Sequence, residues 1–311
     1  MKAPKIVRQN ENVRVVVRTY AELFEEGKEN KNNYVGGSWG GPYLRAPDIY
    51  FRILEKAGGK LVRLREVAEV LGYIHDNKTG RKYPHVPFLK SLKDATLIHL
   101  TSSSPGVYSY GVNKSGNVST TAPLLMARTF ADRLFILWNE DRVYAKEFYR
   151  IIPYDTSAEV LFAALLNSTF ALLGVEIYGL TNLGQGGLKH SKTTSKRLLI
   201  PSPEKLSTDV RRNLLEPFTK MANRPMRNIF EELGFYLCNK RGCSQEEHPY
   251  EYVHPESLTL EQIQKASLDR FELDRVVFDA LGLTDEERLE VYRAVVQLVK
   301  DRSTKAKSNN N

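Results

Sequence analysis

Three groups of residues in this chain have types and spacings that could do chemistry. The first is "TNLGQGGLKHSKTTSKRLLIPSP" (181–203). It sets Gly184, Gly186 and Gly187 beside Lys189, His190, Lys192, Lys196 and Arg197, with no acid anywhere between 180 and 200. Glycines let a backbone approach a ligand closely and unopposed cations attract an anion. The pattern therefore fits a phosphate contact, with Asn182 and Gln185 as readers of a base or sugar. A glycine turn before a solvated basic strand is the competing explanation. The second group is the polar tract "TSSSPGVYSYGVNKSGNVSTT" (101–121), in which Tyr108 and Tyr110 can stack. Asn113 and Asn117 there carry donor and acceptor pairs that match base edges, although ordinary turns use the same residues. The third is Cys238, Cys243, His248 and His254, spaced Cys-x4-Cys-x4-His-x5-His. Four such ligands suit tetrahedral zinc. The gap between the pairs is short for that, chance neighbours in a polar loop explain it better, and no metal ligand is assigned.

Contiguous catalytic signatures are missing. The sequence holds no Gly-x-Gly-x-x-Gly after a strand and no Gly-x-x-x-x-Gly-Lys-Ser/Thr phosphate loop. Gly-x-Ser-x-Gly and His-Glu-x-x-His are missing too. Catalysis by this chain alone is therefore not expected, and a non-contiguous site on nucleic acid is the alternative.

Charge points to a partner. The 311 residues carry a formal net charge of +8, which favours a polyanion. The cations are concentrated: between 77 and 131, Lys78, Arg81, Lys82, Lys90, Lys93, Lys114 and Arg128 face Asp94 as the single acid. Between 246 and 290 the balance reverses, with 13 acids against four Lys or Arg. A polyanion should bind the middle of the chain and not its tail.

The elements that must position these residues fall into three regions. Residues 1–42 begin with the strand-like "VRVVVRTY" and a charged helical piece, then a glycine-rich linker, "GGSWGGP". Residues 43–203 open on a short helix, "RAPDIYFRILEKAGG", with Pro47 in the first turn, Asp48 at the positive end and Gly58-Gly59 as the stop. Short strands and turns follow over 97–154, including a hairpin around Asn139-Glu140-Asp141. A helix over 159–173 starts where Thr156 and Glu159 have capping-box spacing. Residues 204–311 are helical, with Gly282 as a stop and Thr284/Glu287 as a second capping box. The expected fold class is α+β: a β-rich middle with packed helices, then a helical C-terminal segment.

No signal peptide opens the chain, and the longest apolar run, 160–173, is interrupted by Asn167, Ser168 and Thr169 and is too short for a bilayer. Two cysteines make no disulfide framework. A cytoplasmic location without membrane contact is expected.

"YLRAPDIYFRILEKAGGKLVRLREVAEVLGYI" resembles the region just after the catalytic domain in adenine-N6 DNA methyltransferases of type IIG-like restriction–modification enzymes. Its second half is similar to the opening of the target-recognition domain, which specificity subunits of type I restriction systems share. The resemblance continues through "DRLFILWNEDRVYAKEFYRIIP", "LFAALLNSTFALLGVEIYGLTNLGQGGLK", "RLLIPSP" and "LDRVVFDALGLTDEERLEVYRAVVQLVKDR". It implies that 1–42 is the remnant of the end of a catalytic domain plus linker, 43–203 a DNA target-recognition domain and 204–311 a helical C-terminal segment. The family's Asn-Pro-Pro-Tyr-type motif and glycine-bearing cofactor motif are not in this sequence. The implied role is sequence-specific recognition of double-stranded DNA. Methyl transfer and its S-adenosylmethionine would belong to a catalytic domain or subunit outside this chain, and no cofactor is expected here. Docking onto a separate methyltransferase subunit is the alternative role. Where the family has a Gly-Phe-x-Thr-Gly-like turn, this chain reads "GYIHDNKTGRKY". The residues expected at DNA are Lys78, Arg81, Lys82, Tyr108, Tyr110, Asn113, Lys114, Asn117, Arg128, Asn182, Gln185, Lys189, His190, Lys192, Lys196 and Arg197.

Overall fold

The computed structural model describes residues 5–9, 13–27, 45–74, 79–114, 120–183, 186–237 and 249–308. Strands β1 (Lys5–Gln9) and β2 (Arg14–Val17) pair antiparallel and lead to helices α1 (Tyr20–Gly27) and α2 (Asp48–Ala57). Next come β3 (Leu61–Arg63), α3 (Leu64–Val67) and β4 (Ala68–Leu71). The β-rich stretch holds β5 (His85–Leu89), β6 (His99–Leu100), β7 (Tyr108–Gly111), β8 (Leu124–Ala127) and β9 (Thr129–Phe130). It ends with β10 (Ile136–Asn139), β11 (Tyr144–Ala145) and β12 (Phe148–Pro153). Helices α4 (Glu159–Asn167) and α5 (Thr169–Tyr178) precede β13 (Leu180–Leu183), β14 (Gly187–Lys189), α6 (Lys192–Lys196) and β15 (Leu199–Pro201). The rest is helical: α7 (Thr208–Ala222), α8 (Ile229–Glu232), α9 (Leu260–Ala266), α10 (Leu268–Leu281) and α11 (Asp285–Ser308). The fold is α+β.

The central sheet has the order β4-β12-β8-β10-β6, antiparallel except for β10 beside β6. Every residue of β8 is buried, as a middle strand covered on both faces requires. Two smaller sheets, β11-β5-β7 and β13-β14-β9, carry four of the residues expected at DNA: Tyr108 and Tyr110 on β7, Asn182 on β13 and Lys189 on β14. β15 pairs with β3, Leu199 opposite Arg63 and Pro201 opposite Leu61, so the chain returns to where the β-rich region began.

The longest apolar run becomes the centre of the molecule. Helices α4 and α5 are apolar on nearly every side, as helices surrounded by protein are, and 161–177 is buried throughout, Glu176 included. They are two helices bent by 70° and not the single helix that the run from 159 to 173 implied. The break is chemical. Asn167 turns its side chain to the backbone of Ile136, accepting from its N–H at 3.0 Å and donating to its carbonyl at 2.8 Å. Ser168, extended at ψ 148°, then caps α5 by accepting from the Ala171 N–H at 3.3 Å. Among the described residues no single helix is long and apolar enough to cross a membrane.

Two further expectations are corrected. Thr156 does not cap α4; Asp155 accepts from the Ser157 N–H at 3.0 Å in a short 3-10 turn, and Glu159 is taken by Arg142 at 2.5 Å. The chain does turn at Asn139-Glu140-Asp141, but β10 and β11 on either side join different sheets. The Asn139 side chain takes the role of a hairpin partner, bonding the Ala122 carbonyl and both backbone groups of Val143. The other local signals correspond to observed features. Pro47 lies at the cap of α2, Gly58 ends it at φ 52°, Gly282 closes α10 at φ 77°, and Thr284 and Glu287 cap α11 reciprocally.

One hydrophobic core joins Ala46 to Val299, so the C-terminal helices share it with the β-rich region. Buried polar groups fix the seam. Asp274 of α10 accepts from the Thr169 backbone N–H and hydroxyl, both at 2.6 Å. Arg270 donates to the Asn167 carbonyl at 3.1 Å and to Glu232 at 3.0 Å, and Glu232 also receives a two-pronged pair from Arg224 at 2.6 and 2.8 Å. Burial would raise the Glu232 carboxyl, but hydrogen bonds and charge from Arg224 and Arg270 outweigh that and hold it at about 2. Removing one member of a buried pair leaves an uncompensated charge. Glu232→Gln is therefore expected to cost roughly 3 kcal/mol or more in chemical denaturation at neutral pH; a loss near zero would contradict this seam.

Candidate nucleic-acid interface

The sheet β11-β5-β7 gathers the first set of candidates. Its register sets Tyr108 opposite Phe88 and Tyr110 opposite Val86, so both tyrosines lie on the face of a small second core of Ile74, Val86, Phe88 and Val112. The Phe88 ring lies 5.7 Å from Tyr108 and 5.1 Å from Tyr110. Tyr110 packs over this core while Tyr108 remains 42% exposed, which makes Tyr108 the ring better able to meet a ligand. Burial, then the neighbouring Tyr110 and Asp94, push the Tyr108 hydroxyl up, so it stays a neutral hydrogen-bonding group.

A glycine contact brings the basic turn to this sheet. The Gly80 N–H donates to the Gly111 carbonyl at 2.8 Å, and a Cβ at Gly111 would lie 1.8 Å from the Gly80 oxygen. Only glycine permits that approach. Exposed Arg81 and Lys82 follow on the turn, with the Lys82 ammonium 5.1 Å from the Tyr83 ring. Beyond β7, Asn113 is half-buried and Lys114 is exposed, its ammonium 5.9 Å from the Tyr144 ring. Lys78 and Asn117 lie outside the described residues.

The start of the polar tract is tied down. Ser102 donates its backbone N–H and its hydroxyl to Asp141, both at 2.8 Å. These bonds, the backbone one first, hold the Asp141 carboxyl below its usual range. Buried Arg150 does the same for the flanking segments, donating to the Gly72 carbonyl and the Thr120 carbonyl. Sequence reasoning missed Arg150; it looks like any strand cation until the topology shows what surrounds it.

The second set surrounds β13-β14-β9. Half-buried Lys189 on β14 pairs with Thr129, and Ser191 caps α6 by accepting from the Thr194 N–H at 3.1 Å. Helix α6 then carries Lys192 and Lys196 one turn apart, with Arg197 at its end. Burial, then nearby Lys192 and Arg65, push the Lys196 ammonium down, with Glu69 opposing. Exposed Arg65 on α3 thus adds to this cluster. In the sequence it was hidden, because Glu66 and Glu69 cancel its charge locally and Lys196 is far along the chain. Asn182 lies in β13, while Gln185, and the Cys238, Cys243 and His248 of the metal motif, fall outside the described residues. His254 is 3.3 Å from Glu256.

Two candidates are otherwise engaged. Arg128 lies 3.3 Å from Glu147 and 4.6 Å from the Tyr73 ring, so much of its charge is answered within the protein. His190 is 1% exposed, which corrects its place at the interface. Its Nε2–H donates to the Val175 carbonyl at 3.0 Å, its Nδ1 lies 3.4 Å from the Thr194 hydroxyl, and its own carbonyl accepts from Tyr149 at 2.9 Å. Alternation explains the burial, since Leu188 and His190 face inward on either side of Lys189.

No family model and no curated protein matches this chain. Among solved structures it is similar to the type IIG restriction endonuclease BpuSI, with 12% identity and a TM-score of 0.45. The match covers 75% of this chain and 33% of that one, so the chain spans about a third of the length of that structure.

Burial, with a smaller push from Arg45, lowers the His190 imidazole from 6.5 to about 4 against the opposing bond to Val175. The unfolded chain therefore binds this proton more tightly than the fold. The contribution is whole above about pH 6.5 and is lost as pH falls toward 4, on the order of 3 kcal/mol. In urea denaturation at pH 7 and pH 4.5, His190→Gln should show a smaller pH-dependent loss than the native chain by that order. Equal losses would place the ring in solvent.

Proposed function

We propose that this chain is the duplex-DNA recognition module of an adenine-N6 DNA methyltransferase or restriction–modification enzyme. It holds the double helix while methyl transfer takes place in a catalytic domain or subunit elsewhere. The observation that carries this reading is a set of cations without carboxylate partners. Among the described residues, Arg81, Lys82, Lys114, Lys189, Lys192 and Lys196 form no ion pair, although the chain pairs many of its other arginines and lysines. They sit on or beside the two small sheets of the β-rich region.

Each role follows from the chemistry. Lysines and arginines at phosphates release condensed counterions and position the protein without reading sequence. Tyr108 and Asn113, close to that cationic rim, are suited to discriminate, the ring by packing on a base or methyl group and the amide by paired hydrogen bonds. A target adenine has to leave the stack to be methylated, so a clamp on the flanking duplex is what such an enzyme needs. The acidic C-terminal helices serve the fold instead: Glu287 of α11 binds Lys56 of α2 at 2.7 Å, and Glu290 pairs with Arg52.

A separate observation favours docking as a second reading. Val15 and Val17 of β2 and Val13 just before it are 41–52% exposed, and Tyr20 at the start of α1 81%. An apolar strip of this kind suits a protein partner such as a catalytic subunit.

Duplex binding should weaken steeply with salt, and Lys189→Glu combined with Lys192→Glu should weaken it on every sequence. The slope of log K against log salt should become shallower by about 1 for each lysine removed. Fluorescence anisotropy between 50 and 200 mM salt, roughly the range over which such contacts respond, is the test. A flat salt response in the native chain would reject the reading. Asn113→Ala should instead change the order of preference among duplexes.

A further inference from the structure

The basic β13–β14 hairpin is tied to the far end of the chain through one buried arginine. Arg302, near the end of α11, is 5% exposed. Its Nε lies 3.1 Å from Glu176 of α5, and its Nη2 lies 3.0 Å from the same carboxylate, which is itself fully buried. The remaining donors go to backbone: Nη1 to the Gly186 carbonyl and Nη2 to the Ala131 carbonyl. Gly186, at φ 70°, immediately precedes β14, and Ala131 follows the edge strand β9, which pairs with β14. Arg45 braces the other end, donating to the Gly179 carbonyl at 2.6 Å and lying 3.9 Å from Glu176. One planar guanidinium thus holds a carboxylate on the core helix and a carbonyl at the adjoining ends of the paired strands β14 and β9, the former presenting Lys189.

We propose that Arg302 is a positioning residue, setting the conformation of the β13–β14 hairpin so that its basic strand and α6 present Lys189 and Lys192 together to a polyanion. A guanidinium suits this task because its donors are fixed in one plane and can serve three acceptors at once. An ammonium would keep the charge opposite Glu176 but could not hold both carbonyls in that geometry. The consequence for binding rests on the DNA-recognition reading; the clamp itself does not.

The test is backbone hydrogen exchange on the full chain without DNA, followed by duplex binding on the same samples. Arg302→Lys should keep the global unfolding midpoint close to native while amides at 186–190 and 130–132 exchange at least tenfold faster. Amides of α7 should not change. A charge pair with only a structural role would leave the hairpin amides unmoved in this variant. Arg302→Met combined with Glu176→Gln removes both fully buried charges of the pair, leaves the partly exposed Arg45 able to reach solvent, and should show the same local effect. Duplex affinity should fall at least fivefold in both variants. Native exchange at 186–190 in either folded variant overturns the proposal. Faster hairpin exchange in a chain whose native form binds no duplex keeps the clamp and rejects the DNA reading.

Discussion

The structure depends on a short polar interruption inside its most apolar segment. Asn167, Ser168 and Thr169 break what would be one long core helix into α4 and α5, and each of them is fully buried. Such groups are costly in a core unless every one is bonded. The bonds they find define the molecule. Asn167 takes the backbone of Ile136 in the central sheet, Thr169 takes Asp274, and Arg270 reaches the Asn167 carbonyl from α10. Sheet, bent helix pair and C-terminal helices are therefore joined at one place. Apolar packing alone would permit other arrangements; the matched donors and acceptors select this one.

That rigid centre allows the surface to be assembled from small pieces. The sheets β11-β5-β7 and β13-β14-β9 have three short strands each, and β11-β5-β7 covers only the small core of Ile74, Val86, Phe88 and Val112. Buried arginines tie backbone near them: Arg302 donates to Gly186 and Ala131 of β13-β14-β9 and its edge, and Arg150 to Gly72 and Thr120 on the segments that lead into β5 and away from β7. Half-buried Lys189 is thus carried on a strand whose start is fixed from beneath by Arg302. Charges positioned in this way lose less freedom when they meet an ordered array of phosphates.

Local signals in the sequence were legible because the physics behind them is local. Glycine at the ends of α2 and α10 and the Thr284/Glu287 box at α11 are settled by residues within one turn. The α+β class and the concentration of cations in the middle could likewise be read from pattern and composition. What the sequence hid depends on distant partners. The turn at Asn139 looks like a hairpin until the strands on its two sides are seen to join different sheets. Glu159 looks like a capping residue until Arg142 takes it. His190 looks like one more polar residue in a basic loop, and strand alternation sends it into the core beside Val175. Arg65 and Lys196 become neighbours only when α3 and α6 are folded together.

The central proposal is that the cations without carboxylate partners on and beside the two small sheets, and not the acidic C-terminal helices, lie against a double helix. Photo-crosslinking of the full chain to a base-substituted duplex, with adducts located by mass spectrometry, addresses it most directly. Adducts should fall within 79–114 and 186–197, and should vanish with excess unlabelled duplex. Adducts confined to α10 and α11, or none that an unlabelled duplex competes away, would contradict it.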